Sequence, residues 1–202
     1  MSAPILHRDD LPTEPMDAVV AWLEDARVLG ERQADACCLA TVDADGAPDA
    51  RMVVARVVDA DGIVFCTHAD SAKAAQLRAR PAAALTFFWP SQMRQVRLRG
   101  PVADAGDDVA DGLWNGLSRT SRVGAIASDQ VASVPDRAEL DRAFDAAVER
   151  VDEDSTRPPT WVAYRLRPAS VELWQGHPED RRHDRFRYEH ADGSWELHRL
   201  MP

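Results

Sequence analysis

Three apolar runs, Cys37-Cys-Leu-Ala-Thr-Val42, Ala50-Arg-Met-Val-Val-Ala-Arg-Val-Val58 and Ile63-Val-Phe-Cys-Thr67, are separated by two copies of one tetrapeptide, Asp43-Ala-Asp-Gly46 and Asp59-Ala-Asp-Gly62. Short runs rich in β-branched residues favour strands, and Asp-Gly favours a tight reversal between them. The stretch therefore reads as an antiparallel meander. Working outward, Ala83 to Trp89 and Gln95 to Ala103 form two more strands about a Pro-Ser-Gln turn, and a short helix from Ser71 to Pro81 precedes them. Five strands joined mainly by tight turns predict a closed or nearly closed antiparallel barrel. Upstream, Met16, Val19, Val20, Leu23 and Ala26 share one face of a helix that Gly30 ends. Residues 1–12 are polar and proline-bearing, a loosely held, flexible arm ahead of a single domain over 13–202. Downstream, helices over Asp107 to Leu117 and Pro135 to Val151 flank a mixed polar stretch from Ser118 to Val131. The second helix places Leu140, Phe144, Ala147 and Val151 on one face. Strands at Trp161 to Leu166 and Val171 to Trp174, then a hairpin about Asp192-Gly193, complete the barrel. The fold class is mainly β with flanking helices (α+β).

Composition narrows the function. Of 202 residues, 45% are hydrophobic and 29% charged, as in a globule with a core rather than a disordered chain. A net charge of −10 argues against nucleic acid or an anionic membrane as the main partner. Cys37, Cys38 and Cys66 fit neither a disulfide framework nor zinc spacing, and they read as reduced core residues. With no apolar run of membrane length and no charged-then-apolar leader pattern, a cytoplasmic location is the expectation.

Against that acidic background, local cationic clusters point to a small anionic ligand. In Trp174-Gln-Gly-His-Pro-Glu-Asp-Arg-Arg-His-Asp-Arg-Phe186, an extended backbone puts Arg181, His183 and Arg185 on one face and Arg182 and Asp184 on the other. Trp174, Gln175 and Gly176 beside them suit a flat polar ligand. Arg51 and Arg56 bracket four apolar residues, a pattern that strand-end snorkelling explains equally well. Between Cys66 and Lys73, the hydroxyls of Thr67 and Ser71, a helix start and an early lysine together favour a phosphate site over a plain N-cap. Gln95 and Gln130 each carry an amide able to meet a heterocycle edge, though each alone reads as structural. The six histidines show no metal-ligand spacing, so no metal is expected. Neither a Gly-rich phosphate loop nor a Gly-x-Ser-x-Gly elbow is present.

Eight motifs in order then carry a family resemblance: Leu11-Pro12 with the Trp22 helix, Leu39-Ala-Thr-Val42, Arg51-Met-Val-Val54, Val64-Phe-Cys-Thr67 with Ser71-Ala-Lys73, Arg94-Gln-Val96, Trp174-Gln-Gly176, Arg181-Arg-His-Asp-Arg185 and Arg199-Leu-Met-Pro202. From about Leu11 onward the chain resembles the pyridoxamine 5′-phosphate oxidase family of FMN-dependent oxidases. The resemblance implies an FMN-binding split barrel, an obligate homodimer and FMN in clefts at the dimer interface. It implies that Arg51 and Lys73 neutralise the FMN phosphate near Thr67 and Ser71. Met52, Val53, Val54 and Cys66 then run along the cofactor, and Gln95, Gln130, Trp174 and Arg185 contact its ring or ribityl chain. Arg181 and His183 face the substrate as catalytic residues, and O2 reoxidises the flavin to give hydrogen peroxide.

Departures from the family pattern bear on the substrate. Arg56 stands where members acting on pyridoxine 5′-phosphate have a lysine, and Ser71-Ala72-Lys73 lacks one cation of their triplet. Their tyrosine, arginine and serine for the substrate phosphate correspond to Leu113, Leu117 and Ser121. Losing charge-assisted hydrogen bonds, each worth roughly 1.5–3 kcal/mol, favours a flatter, less phosphorylated substrate. The Thr67-His68-Ala69 step and the Lys73 motif resemble the phenazine-biosynthesis branch, which oxidises reduced phenazine carboxylic acids. Arg56 or Arg181 would then meet the carboxylate. Vitamin B6 phosphate oxidation is the alternative, with Arg119 and Arg122 as replacement phosphate ligands. A non-catalytic flavin-binding barrel and a deazaflavin reductase are readings of other kinds.

Overall fold

The computed structural model describes residues 5–152 and 154–202. In chain order the described residues form α1 (Pro15–Val28), β1 (Ala36–Val42), β2 (Pro48–Asp59), β3 (Gly62–His68), α2 (Ala72–Ala79), β4 (Ala82–Trp89), β5 (Arg94–Asp104), α3 (Asp107–Asn115), α4 (Arg119–Ala127), α5 (Arg137–Arg150), β6 (Trp161–Leu166), β7 (Ser170–Gln175), β8 (Asp184–Ala191) and β9 (Ser194–Arg199). The expected meander is present. β1 pairs with β2 from Ala36↔Val54 to Val42↔Pro48, and β2 turns into β3 at Asp59↔Gly62.

Strand order β4-β1-β2-β3-β6-β5, with β4 also paired to β5, closes an antiparallel ring. Five early strands do not close it alone. β6 fills the gap, pairing Phe65↔Tyr164 on one side and Val102↔Leu166 on the other. Beyond the ring, β7, β8 and β9 extend outward from β5. Period-2 alternation buries one row of side chains across five strands: Leu39, Leu85, Leu98, Val171 and Tyr188 sit side by side at 0–1% exposure. Each aliphatic member of such a row contributes about 1.5–3 kcal/mol by leaving water.

β5 holds the two parts together. It pairs with β7 up to Arg99 and with β6 from Val102. Between those limits the β6–β7 corner crosses it: the Arg167 N–H donates to Pro101 O at 3.0 Å and the Ala169 N–H to Arg99 O at 2.7 Å. A Cβ on Gly100 would lie 1.9 Å from Arg167 O, and one on Gly62 would lie 2.0 Å from Leu166 O. Both glycines are there because backbone passes where a side chain would be.

α1 starts with Pro15 in its first turn and buries Met16, Val19, Trp22, Leu23 and Ala26 against the barrel. Val20, expected on that face, is 41% exposed. The helix is turned so that Trp22 reaches inward instead, with the Arg94 guanidinium 4.6 Å from its ring centroid. The mixed polar stretch after Ser118 contains a helix that periodicity did not reveal. In α4 the Ser118 side chain accepts from Ser121 N at 3.2 Å, and Val123, Ile126 and Ala127 pack with Phe144, Ala147 and Val151. Arg119, Arg122 and Gly124 interrupt its apolar pattern.

The expected loose arm is tied down from Leu6 onward. Leu6 N–H donates to Asp184 at 2.8 Å, Leu6 O accepts from Arg199 at 2.7 Å, and Pro12 O accepts from the Tyr188 hydroxyl at 2.7 Å. Residues 1–4 of that arm lie outside the described residues. No helix among the described residues is long and apolar enough to cross a membrane.

The two Asp-Ala-Asp-Gly turns provide a matched test. Gly46 (φ +93°) has open space around it, whereas Gly62 (φ +119°) abuts the Leu166 carbonyl. Gly46→Ala should lower stability by about 1–2 kcal/mol, the cost of a left-handed backbone. Gly62→Ala should cost about 4 kcal/mol or more, or prevent folding. Urea denaturation of both variants measures the difference; equal losses would show that the β3–β6 approach relaxes freely.

Candidate functional site

At the C-terminal end of β3 and the start of α2, five of the anticipated residues converge. Ser71 caps α2, its Oγ accepting from Ala74 N at 3.4 Å and donating to His68 O at 2.7 Å. Thr67 Oγ1 lies 3.1 Å from that hydroxyl. Lys73 Nζ donates to Thr67 Oγ1 at 3.1 Å and to Gln130 Oε1 at 2.8 Å, so the loop after α4 is drawn to the same place. From β2, Arg51 reaches Thr41, the Asp49 carboxylate and, at 3.0 Å, Gln76 Oε1. Gln76 in turn donates to Asp49 at 3.0 Å. Thr41, Asp49 and Gln76 were not anticipated. Spacing offered a signal, since Asp49 is two residues before Arg51 on a strand and Gln76 three after Lys73 on a helix.

Burial, followed by the nearby Arg51 guanidinium, pushes the Lys73 ammonium below its ordinary pKa, with Asp49 pulling the other way. The Gln76 hydrogen bond and Arg51 hold the exposed Asp49 carboxyl below its usual range.

A second cluster lies on the outward face of β5, β7 and β8, where Phe88↔Gln95, Gln95↔Trp174 and Trp174↔Arg185 are cross-strand neighbours. Arg185 donates to the buried Glu172 carboxylate at 3.0 Å, and Arg97 donates to the other oxygen of that carboxylate at 3.1 Å. His183 packs on Trp174 with ring centroids 4.8 Å apart. The alternating-strand picture of Arg181, His183 and Arg185 does not hold throughout, because β8 begins only at Asp184. Arg181 sits on a turn with φ +62°, its N–H donating to His177 O at 3.0 Å. Asp184 is 3% exposed and accepts from Leu6 N, His177 Nε2 (2.9 Å) and Arg199 (2.8 Å). Burial works against that charge, but the three donors outweigh it and hold the carboxyl below the usual carboxylate range.

Three strands, β1, β4 and β5, separate Arg51 from Trp174. The outward face between them carries exposed apolar side chains: Met52 at 63%, Val54 at 43% and Phe88 at 50%. Val53 points the other way and packs on the core.

Near the far end of β2, Arg56 is the extra residue of a β-bulge between Ala55 and Val57, and its side chain is exposed. Burial pushes the neighbouring Cys66 thiol up to about 11, opposed first by Arg56. Leu113 and Leu117 are half-buried with Val57 and Cys66 against Val64, Ala110, Trp114, Trp161 and Ala163. Ser121 is exposed, its hydroxyl 3.0 Å from Ser118 Oγ. Arg119 donates to Val151 O at 2.9 Å and to Val148 O at the end of α5. Arg122 is buried, donates to Asn115 O at 3.0 Å and lies 5.8 Å from the Trp114 ring centroid. Among the described residues no group of three or more His, Cys, Asp or Glu could hold a metal.

Comparison with known proteins agrees with this architecture. Residues 18–175 match the family model of pyridoxamine 5′-phosphate oxidase, and residues 161–202 match that of the pyridoxine 5′-phosphate oxidase C-terminal dimerisation region, which supports a homodimer. A pyridoxine/pyridoxamine 5′-phosphate oxidase from Hyphomonas neptunium is 44% identical over 191 residues, covering 93% of this chain and 87% of that protein. One from Rhodococcus jostii is also 44% identical, over 90% of this chain and 82% of the relative. Among solved structures, PhzG from Burkholderia lata in complex with tetrahydrophenazine-1-carboxylic acid superposes with a TM-score of 0.91 at 31% identity, over the whole of both chains. An FMN-binding protein from Nostoc punctiforme, 23% identical, shares the fold with a TM-score of 0.74 over 92% of this chain and 96% of its own. The chain is an oxidoreductase and belongs to the pyridoxamine 5′-phosphate oxidase family.

Proposed function

We propose that the chain is an FMN-dependent oxidase that works as a homodimer and oxidises a reduced, planar heterocyclic carboxylate of the dihydrophenazine type. The observation that carries the cofactor reading is the convergence of Arg51, Thr67, Ser71, Lys73 and Gln130. Two cations, two hydroxyls and a helix start match a phosphate monoester in charge and donor count. Met52, Val54, Gln95, Trp174 and Arg185 suit the apolar and polar parts of a flavin. One protomer splits these groups across three intervening strands, with an exposed apolar face between them. A second copy laid on that face would bring one protomer's phosphate cluster to its partner's Trp174 platform. Bound FMN supplies a two-electron acceptor for the substrate hydride and returns the electrons to O2, giving hydrogen peroxide. The protein's part is to hold and orient. Arg185 is aimed by Glu172, His183 by Trp174, and Arg181 is left exposed with no ion-pair partner among the described residues.

The substrate reading rests on Leu113 and Leu117. Both extend an apolar wall with Cys66 and Val57, and both nearby arginines serve other groups: Arg119 the end of α5, Arg122 the Asn115 carbonyl and the Trp114 ring. Such a wall suits a fused ring, with Arg56 or Arg181 taking its carboxylate. The bound ligand of the Burkholderia lata relative is of this class. Pyridoxine or pyridoxamine 5′-phosphate is the second reading, favoured by the names of relatives with higher identity.

Lys73→Met should weaken FMN binding about 10–100-fold, equivalent to roughly 1.5–3 kcal/mol, and leave riboflavin, which has no phosphate, nearly unchanged. Equal losses for both ligands, measured by fluorescence titration, would remove Lys73 from the phosphate. The linkage has a definite sign. Lys73 is held below its ordinary pKa, and a bound phosphate raises it again, so binding takes up a proton. FMN affinity should therefore fall as pH rises through the alkaline range below the ordinary lysine value.

Substrate choice is read by anaerobic spectroscopy of the FMN-loaded protein. A dihydrophenazine carboxylate should bleach the flavin band within a turnover, and pyridoxine 5′-phosphate should do so at least about 10-fold more slowly, as expected for one missing charge-assisted bond. The double variant Leu113→Tyr, Leu117→Arg should narrow that gap. Fast bleaching by pyridoxine 5′-phosphate in the parent protein would establish the vitamin B6 reading instead.

A further inference from the structure

The turn between β7 and β8 is organised around a histidine that neither the cofactor nor the substrate reading uses. His177 is 6% exposed. Its side chain is clamped by Nε2 against Asp184 Oδ2 at 2.9 Å. Its carbonyl accepts the Arg181 N–H at 3.0 Å, closing the turn and holding Arg181 at φ +62°. Its own N–H donates to His183 Nδ1 at 2.9 Å. One residue thus touches both candidate catalytic groups through its main chain and is itself fixed through its side chain.

The last of these bonds has a chemical consequence. A backbone N–H can only donate, so the nitrogen facing it must carry a lone pair. In a neutral imidazole the proton then belongs to the other nitrogen. His183 Nε2 has no partner among the described residues, and its ring is packed against Trp174. We infer that His177, clamped by Asp184, is a positioning residue that fixes His183 as the Nε2–H tautomer, presenting a hydrogen-bond donor beside the Trp174 platform. Asp184 extends the clamp to both ends of the fold. Arg199 bonds the carboxylate at 2.8 Å and Leu6 O at 2.7 Å, while Leu6 N–H bonds the same carboxylate at 2.8 Å. The segment before α1 and the last strand therefore brace the turn that carries Arg181 and His183. The role in turnover rests on the oxidase reading; the tautomer does not.

Nitrogen-15 NMR of histidine-labelled, FMN-loaded protein reads the tautomer directly, with His183→Gln assigning its signals among the six histidines. His183 should show a protonated-type Nε2 and an unprotonated-type Nδ1. In His177→Leu, which keeps the backbone N–H but loses the clamp, the two nitrogens should move toward averaged shifts. Flavin reduction should slow on the order of 10²-fold, as for a small misplacement at a reacting centre, with FMN affinity unchanged. His177→Gln, whose amide can still donate to Asp184, should restore both the shifts and most of the rate. A protonated Nδ1 in the parent protein overturns the inference. So does a His177→Leu variant with parental shifts and rate. If the parent protein reduces no flavin with either substrate class, the oxidase reading fails, and the shifts alone decide the clamp.

Discussion

Strand β5 changes partners at Gly100 and Pro101, and the site exists because it does. Up to Arg99 the strand is bonded to β7; from Val102 it is bonded to β6. The corner joining those partners sits on the switch, its Arg167 and Ala169 N–H groups satisfying Pro101 O and Arg99 O. Pro101 has no N–H to leave unpaired there, and Gly100 has no Cβ to hold the corner off. The same corner leans on Gly62 from the other side. Because β6 is spent on closing the ring, β7 and β8 are free to run outward, carrying Trp174, Arg185 and the Arg181–His183 turn onto the face that Met52, Val54 and Phe88 also line.

What the sequence made legible follows from how local each determinant is. The two Asp-Ala-Asp-Gly turns and their flanking runs define the meander because turn chemistry and strand alternation act within a few residues. The grouping of Thr67, Ser71 and Lys73 is legible for the same reason, since the three occupy one strand-to-helix junction. Longer-range partners were not. Asp49, Gln76 and Thr41 gather on Arg51 only once β1, β2 and α2 are packed. The α4 helix rests on packing with α5 and a serine cap rather than on its own weak apolar pattern. Arg181 departs from the strand geometry expected for it because His177 O captures its N–H, a contact four residues apart that residue types alone do not disclose.

The arm before α1 shows how burial of a polar group reaches across the fold. Residues 5–12 mix charged residues with Leu6 and Leu11, which pack against the core. Order also comes from Asp184, a carboxylate at 3% exposure that needs several donors to stay charged. His177 and Arg199 supply two, and the Leu6 N–H is a third. Removing any of them leaves a buried charge less satisfied, which costs more than the bond itself contributes. The arm is held by that carboxylate together with the packing of Leu6 and Leu11 and the Tyr188 bond to Pro12 O.

Ion pairs fix the orientation of several cations on and around the barrel. Arg94 is paired with Asp25, Arg97 and Arg185 with Glu172, Arg157 with Asp107 and Asp111, and Arg199 with Asp184. Each of these pairs fixes an orientation, and Arg97 and Arg185 share a single carboxylate. Arg56, Lys73 and Arg181 have no carboxylate within ion-pair distance among the described residues, although acidic residues outnumber basic ones 34 to 24. At half-buried Lys73, burial and then the Arg51 charge disfavour the ammonium and depress its pKa, while the nearby Asp49 carboxylate works the other way. Lys73 belongs to the cluster proposed to hold the cofactor phosphate, where an anion would offset the burial that disfavours its charge.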